Sequence, residues 1–450
     1  MPEPKEHVPA PAMTTPAFAV RRREPVLVGP AAPTPRETKR LSDIDDQDTL
    51  RGQVPFVFFY RGGVHAHADG GRDPAVVIRR ALAQALVPYY PLAGRLREVE
   101  SRKLVVDCTG EGVMFVEADA DVRLAELQAD GLKPPSPFMD QLLFDVEGSG
   151  GVLGCPLLLI QVTRLLCGGF VLALRLNHTI CDAIGLSQFI SAVAELARGV
   201  PAPTVAPTWS RELLEARSPP KPSAFPHREF DPVPMPPPPS GEMVTRTFTF
   251  TPDNVAAIKR SLPPDLAATA TTFEALTAAL WRARTSALEI PEDEEVRAVS
   301  IVNIRGVPGL ALPAGYYGNA CVPVAAVTTA GALLAGSLGD AVALVRGTKA
   351  AVTAEYVRSA VDLLVLRGRP CVALANLFLA SDNRHAGFHR VDFGRGEPVY
   401  GGPAATLFGV SFFVHVGNGG GGEGAVGVMI VLPRPAMDRF ASEVEMLLKG

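Results

Sequence analysis

Cysteine is scarce in this 450-residue chain: six residues, at positions 108, 155, 167, 181, 321 and 371, with no Cys-x-x-Cys and no Cys/His metal spacing. The pattern excludes a disulfide framework and a zinc centre, and reads as free thiols of a reducing compartment. Charge of one sign is lacking as well. With 43 basic against 47 acidic residues, the formal net charge of −4 gives no footprint for nucleic acid or an anionic membrane. Long apolar runs are missing too. The best candidate, Val152 to Leu176, is broken by Gln161, Arg164, Arg175 and the turn Cys167-Gly-Gly169, and fits two buried strands better than a membrane span. The first residues carry Glu3, Lys5, Glu6 and several prolines instead of the apolar core of a signal peptide, and the ending Leu-Leu-Lys-Gly450 lacks a Ser-Lys-Leu address. The expected protein is cytoplasmic, monomeric and metal-free.

What is present is globular: 47% hydrophobic and 20% charged residues, with length for two or three domains. Proline is abundant in one place, from about Gly199 to Gly241, including Pro236-Pro-Pro-Pro239. That density excludes helix and sheet interior and predicts a stiff crossing segment at 201–240 between halves at 1–200 and 241–450. Strands are expected at Val54–Tyr60, Thr245–Phe250 and Ala298–Val302, with a strand pair at Leu407–Val416 and Ala425–Leu432 across a glycine-rich loop. Leu104–Asp107 and Val113–Val116 read as a hairpin. Helices are expected at Pro74–Leu86 and Thr272–Leu288, and over most of Ala341–Leu364. Strands interleaved with helices predict an α/β or α+β chain with mixed sheets.

The spacing His-x-x-x-Asp occurs three times, so position has to discriminate. His65 with Asp69, in a Gly-rich run, and His227 with Asp231, in the Pro-rich stretch, fall on expected loops, where an imidazole is wet and poorly oriented. His178 with Asp182 differs. Phe170, Leu172, Leu174 and Leu176 alternate with Val171, Ala173, Arg175 and Asn177, which sets His178 at the end of a strand. Leu186, Phe189, Ile190, Val193 and Ala197 then follow a helical period, with Asp182 placed to cap the helix start. A positioned general base needs such a rigid support, although a buried core histidine and a plain helix cap would share the pattern. Cys181, inside the motif, is weighed as a nucleophile and reads better as core filler, since nothing nearby would lower its pKa.

Motifs in family order then make the chain resemble the plant BAHD acyltransferases, CoA-dependent enzymes that acylate alcohols or amines. They are Leu92-Ala-Gly-Arg95, His178-Thr-Ile-Cys-Asp182, Gly315-Tyr-Tyr-Gly-Asn319 and Val391-Asp-Phe-Gly-Arg-Gly396. The stretches Pro35 to Gln47, Val327 to Gly331 and Val399-Tyr-Gly-Gly-Pro403 are similar to the alcohol acyltransferase branch, of the benzyl alcohol O-benzoyltransferase and taxane acetyltransferase kind.

The resemblance implies two chloramphenicol-acetyltransferase-like domains, each a mixed sheet with flanking helices, and a tunnel between them with the histidine midway. It implies acyl-CoA as co-substrate, no tightly bound cofactor, and transfer of a benzoyl or acetyl group to a small aromatic alcohol. By family position, His178 is the base, Asp182 orients the loop, and Arg305 pairs with Asp182. Ser42 and Ile44 on the acceptor side, with Phe412, Phe413 and His415 near the tunnel, are candidate substrate contacts; core packing is an equal reading for the two phenylalanines. For CoA, the candidates are Lys259, Arg260, Arg282, Asp392 and Gly394, against solvated helix residues for the first three and a structural turn for the last two. Arg395 stands where most members carry Trp, and Arg384 near a small hydroxyl position; Arg384 either faces the tunnel or is solvated. These departures keep two rivals open: acylation of a terpenoid hydroxyl or an amine, and a non-catalytic binding protein.

Overall fold

A computed structural model describes residues 18–62, 73–129, 132, 134–136, 138–145, 151–237, 239–417 and 424–449. The apolar alternation of Phe170–Asn177 places that strand inside a mixed sheet of seven strands, beside Leu158–Leu165 on one side and Gln53–Tyr60 on the other. Phe170, Leu172, Leu174 and Leu176 face a core shared with the helices Pro74–Ala85 and Ala183–Ala197. Val171 and Ala173, on the opposite face, pack with Val57 and Phe59 against Val414 and Met429 of a second sheet. One strand therefore serves two cores, because successive side chains leave opposite faces.

The second sheet has six strands, in the order Met243–Phe250, Ala425–Pro433, Val410–Val416, Leu377–Asp382, Glu295–Asn303 and Cys321–Thr329. Helix Thr272–Ala287, opened by a capping box between Thr271 and Glu274, buries Leu276, Leu280 and Trp281 in the core beneath it. Both sheets mix parallel and antiparallel pairs. The expected strand pair Val410–Val416 and Ala425–Pro433 forms in antiparallel register, and most of the glycine-rich connection lies outside the described residues. The helical stretch at 341–364 is two helices, Leu338–Ala350 and Ala354–Leu366, with Thr353 capping the second. Among the described residues no helix is long and apolar enough to cross a membrane.

Two expectations fail. Leu104–Asp107 and Val113–Ala120 do not form a hairpin: the former pairs with Arg95–Glu98 and Thr38–Arg40 in a separate three-stranded sheet, the latter with Leu158–Leu165. Gly112, at φ +102° and with its Cβ position 2.3 Å from the Val28 carbonyl oxygen, lets the chain turn from one sheet to the other. The loop around His227 is not wet. His227 is buried between Glu229 (2.9 Å) and Ser359 (3.0 Å), which ties the proline-rich segment to helix Ala354–Leu366.

The two halves also interlock. Tyr400–Pro403 adds to the first sheet against Gln53–Tyr60. The Tyr60 hydroxyl donates to the Val391 carbonyl (2.9 Å), and the Phe393 ring meets Tyr60 edge-on at 5.6 Å. Phe393→Ala should therefore destabilise the protein by about 3–5 kcal/mol, read as a lower midpoint of thermal unfolding; an unchanged midpoint would mean that this anchor contributes nothing.

Candidate active site

His178 directly follows its strand, and its main chain is held on both sides. Its N–H donates to the Gly52 carbonyl (2.9 Å), and its own carbonyl accepts from the Asn319 carboxamide (2.8 Å). The half-buried imidazole is free by comparison: no hydrogen bond to its ring exists among the described residues, and Nδ1 is enclosed. Asp182 does not reach that ring. It caps helix Ala183–Ala197 through the Gly185 N–H (2.9 Å), accepts from the Ala320 N–H (2.9 Å), and takes both guanidinium arms of Arg305 (2.8 and 2.9 Å). Four donors occupy its two oxygens, which is the geometry of an anchor and not of a relay. Burial works against the Arg305 charge, and Asp182 offsets it, so the guanidinium pKa rises. Gly185 is required where the helix touches the other half, because a Cβ there would lie 2.0 Å from the Tyr317 carbonyl oxygen.

A second buried carboxylate stands beside the first, and motif reading gave no warning of it. Asp45 is 0% exposed. It accepts from the Ser42 hydroxyl (2.7 Å), from Arg211 (3.1 Å), and from both the main-chain and side-chain nitrogens of Asn319 (2.9 and 2.8 Å). Ser42, expected to touch an acceptor, is fully buried in this network. Ile44 is likewise enclosed, packed on Leu214, Ile304 and Tyr316. Both side chains are closed to solvent in this structure.

The other expected site residues scatter. Phe412 is half-buried in the core between the sheets, while Phe413 points the other way into the second core, against Phe273 at 5.2 Å. His415 is half-buried and stacks on His389 at 4.6 Å; burial, then the neighbouring His415, pulls the His389 pKa down. Arg384 neither points free nor lies in solvent, since Asp382 holds it through two contacts of 2.8 and 2.6 Å. Asp392 turns its carboxylate onto the N–H groups of Gly394 and Arg395 (2.7 and 2.9 Å), and Gly394 has a φ of +86° that favours glycine. Arg282 is not available for phosphates: its guanidinium donates to the carbonyls of Leu333, Leu334 and Gly336 at the end of helix Ala330–Ala335. Lys259 and Arg260, in the last turn of helix Pro252–Arg260, have no ion pair among the described residues. Burial raises the Cys181 thiol far above its ordinary pKa, which disfavours a thiolate nucleophile. The first His-x-x-x-Asp copy, at His65, lies outside the described residues.

A family model described as the Transferase family matches residues 18–447. Benzyl alcohol O-benzoyltransferase of Petunia hybrida is 53% identical over 441 residues, covering 96% of this chain and 94% of the relative. Its namesake of Nicotiana tabacum is 52% identical over 446 residues, with the same coverage of 96% and 94%. Alcohol acyl transferase 1 allele GSd of Malus domestica is 49% identical over 434 residues, covering 95% and 93%. Among solved structures, vinorine synthase superposes with a TM-score of 0.75 at 21% identity, over 95% of this chain and 98% of that one. The F. sporotrichioides TRI101 complexed with coenzyme A and T-2 has a TM-score of 0.70 at 16% identity, over 90% and 97%. At those identities the structures establish the shared two-domain fold.

Replacing Asp182 by Asn leaves Arg305 without its anion and should destabilise by about 3 kcal/mol, with activity falling alongside the thermal midpoint. Activity lost at an unchanged midpoint would instead argue for direct participation of the carboxylate. Gly185→Ala should lose soluble, folded protein through the clash with Tyr317; normal yield and melting would contradict that contact.

Proposed function

We propose, from the premise that this chain belongs to the Transferase family, the BAHD acyltransferases, that it is an acyl-CoA:alcohol O-acyltransferase using benzoyl-CoA or acetyl-CoA and a small aromatic alcohol. The donor and acceptor rest on relatives named for benzoyl transfer to benzyl alcohol at 53% and 52% identity. CoA as co-substrate fits the neighbour solved with coenzyme A. Lys259 and Arg260 remain candidates for its phosphates; Arg282 does not.

The observation that carries the chemistry is His178, whose backbone is fixed while its ring is unpartnered. A neutral alcohol is a weak nucleophile, so a base must take its proton as the oxygen attacks the thioester carbon. His178 is that base. The tetrahedral adduct collapses with cleavage of the carbon–sulfur bond, and the imidazolium returns its proton to the leaving thiolate as free CoA. No acyl-enzyme is required, and the buried, high-pKa Cys181 is poorly suited to form one. Pairing of Arg384 with Asp382 removes one motive for a non-catalytic binding protein.

Thiol release from benzoyl-CoA and acetyl-CoA, each with benzyl alcohol and with a panel of terpenoid alcohols and amines, tests this reading. Ester formation should be fastest with benzyl alcohol, and His178→Ala should lower kcat by roughly 10²–10⁴-fold. No turnover across the panel, or full turnover without the imidazole, would refute it.

A further inference from the structure

Asp45 sits far from His178 in sequence, and the fold joins them through one carboxamide. Asn319 Nδ2 donates to Asp45 (2.8 Å) and to the His178 carbonyl (2.8 Å). Two acceptors on one nitrogen fix the amide's orientation, because the flipped group would turn an oxygen toward both. Arg211 repeats the device one step along the loop. One arm lies against both Asp45 oxygens (3.2 and 3.1 Å), and the other donates to the Ile180 carbonyl (2.8 Å). The guanidinium is 1% exposed and packed on Trp209, Tyr316 and Tyr317, with its carbon 4.5 Å from the indole centroid. Gly318 lies so close that a Cβ would fall 1.2 Å from the Arg211 arm. The carbonyls on either side of Thr179 are thus gripped by groups that converge on one carboxylate. Asn319 Oδ1 and Arg211 Nε are buried without partners among the described residues, so both side chains are held for what their other atoms do.

We propose that Asp45 and Asn319 are positioning residues for His178, with Arg211 as the second arm of the same clamp. The inference rests on the general-base reading above. The peptide planes at His178 and Ile180 set the direction in which the imidazole leaves the main chain. Free of the clamp, those planes rotate and the ring swings. A displacement on the order of 1 Å at a reacting group lowers rate by about 10²-fold without changing what binds.

Asn319→Ala removes the grip on His178 and leaves Asp45 paired with Arg211. It should lower kcat by about 10²-fold while KM for acyl-CoA and for the alcohol stays within about threefold. Placed in a His178→Ala background, the same change should leave the residual turnover unaltered, because its only route to the chemistry is the imidazole. An equal loss in both backgrounds, or an effect confined to KM, overturns the proposal. A His178→Ala protein with full turnover overturns the general-base reading itself, and is recognised before Asn319 is touched. Where Asn319→Ala lowers the yield of folded enzyme, Arg211→Lys keeps a cation beside Asp45 but loses the fork to Ile180. The same kcat-only loss is expected there, and an unchanged kcat overturns the clamp.

Discussion

Two buried carboxylates accept consecutive main-chain amides, Asp45 that of Asn319 and Asp182 that of Ala320, and the rest of the site hangs on that pair of contacts. Each carboxylate is matched by an arginine, Arg211 for Asp45 and Arg305 for Asp182. Unpaired, such charges would be expensive to bury; paired and fully hydrogen-bonded, they become rigid posts. Segment 316–320 runs between the posts and is stitched to both, since Arg305 also takes the carbonyls of Tyr316 and Gly318. The residues of one half thereby set the conformation of a loop in the other.

That arrangement separates two demands that conflict in one residue. A base must be held firmly, yet its reacting nitrogen must stay free to exchange a proton. Here the holding is done through the peptide groups of His178 itself, by the Gly52 carbonyl and the Asn319 carboxamide, and the ring is left alone. Asp182, the residue that sequence spacing pairs with the histidine, shapes the same loop from its far end by capping the helix and meeting Arg305. On the general-base proposal, orientation is set through the backbone, whereas a carboxylate on the imidazole would tune basicity as well.

Legibility in the sequence followed periodicity. The strand before His178 and the helix after Asp182 are regular, and both appear where the alternation and the 3.6-residue repeat put them. The same regularity failed for Leu104–Asp107 and Val113–Ala120, because a period of two assigns faces and not partners, and a glycine corner redirected the chain. Asp45 was invisible for a related reason. It lies between Asp43 and Asp46 in an irregular segment; Asp45 and Asp46 are both fully buried, and nothing local marks which of them meets Asn319. Arg211 and His227 were hidden by the proline-rich composition around them, which suggests exposure, while their partners Asp45 and Ser359 come from distant parts of the chain. Arg282 shows the converse: a basic residue on a helix offered a phosphate contact or a solvated side chain, and a neighbouring helix end holds it instead.

The short strand Tyr400–Pro403 completes the first sheet from the far end of the chain. A ribosome will thus have released most of the polypeptide before the edge of Gln53–Tyr60 is covered, and until then that edge offers bare N–H and C=O groups to any passing strand. Severing the molecule at the crossover would leave the same template exposed for good. The topology makes completion of the first sheet a late event, coupled to the arrival of residues 400–403.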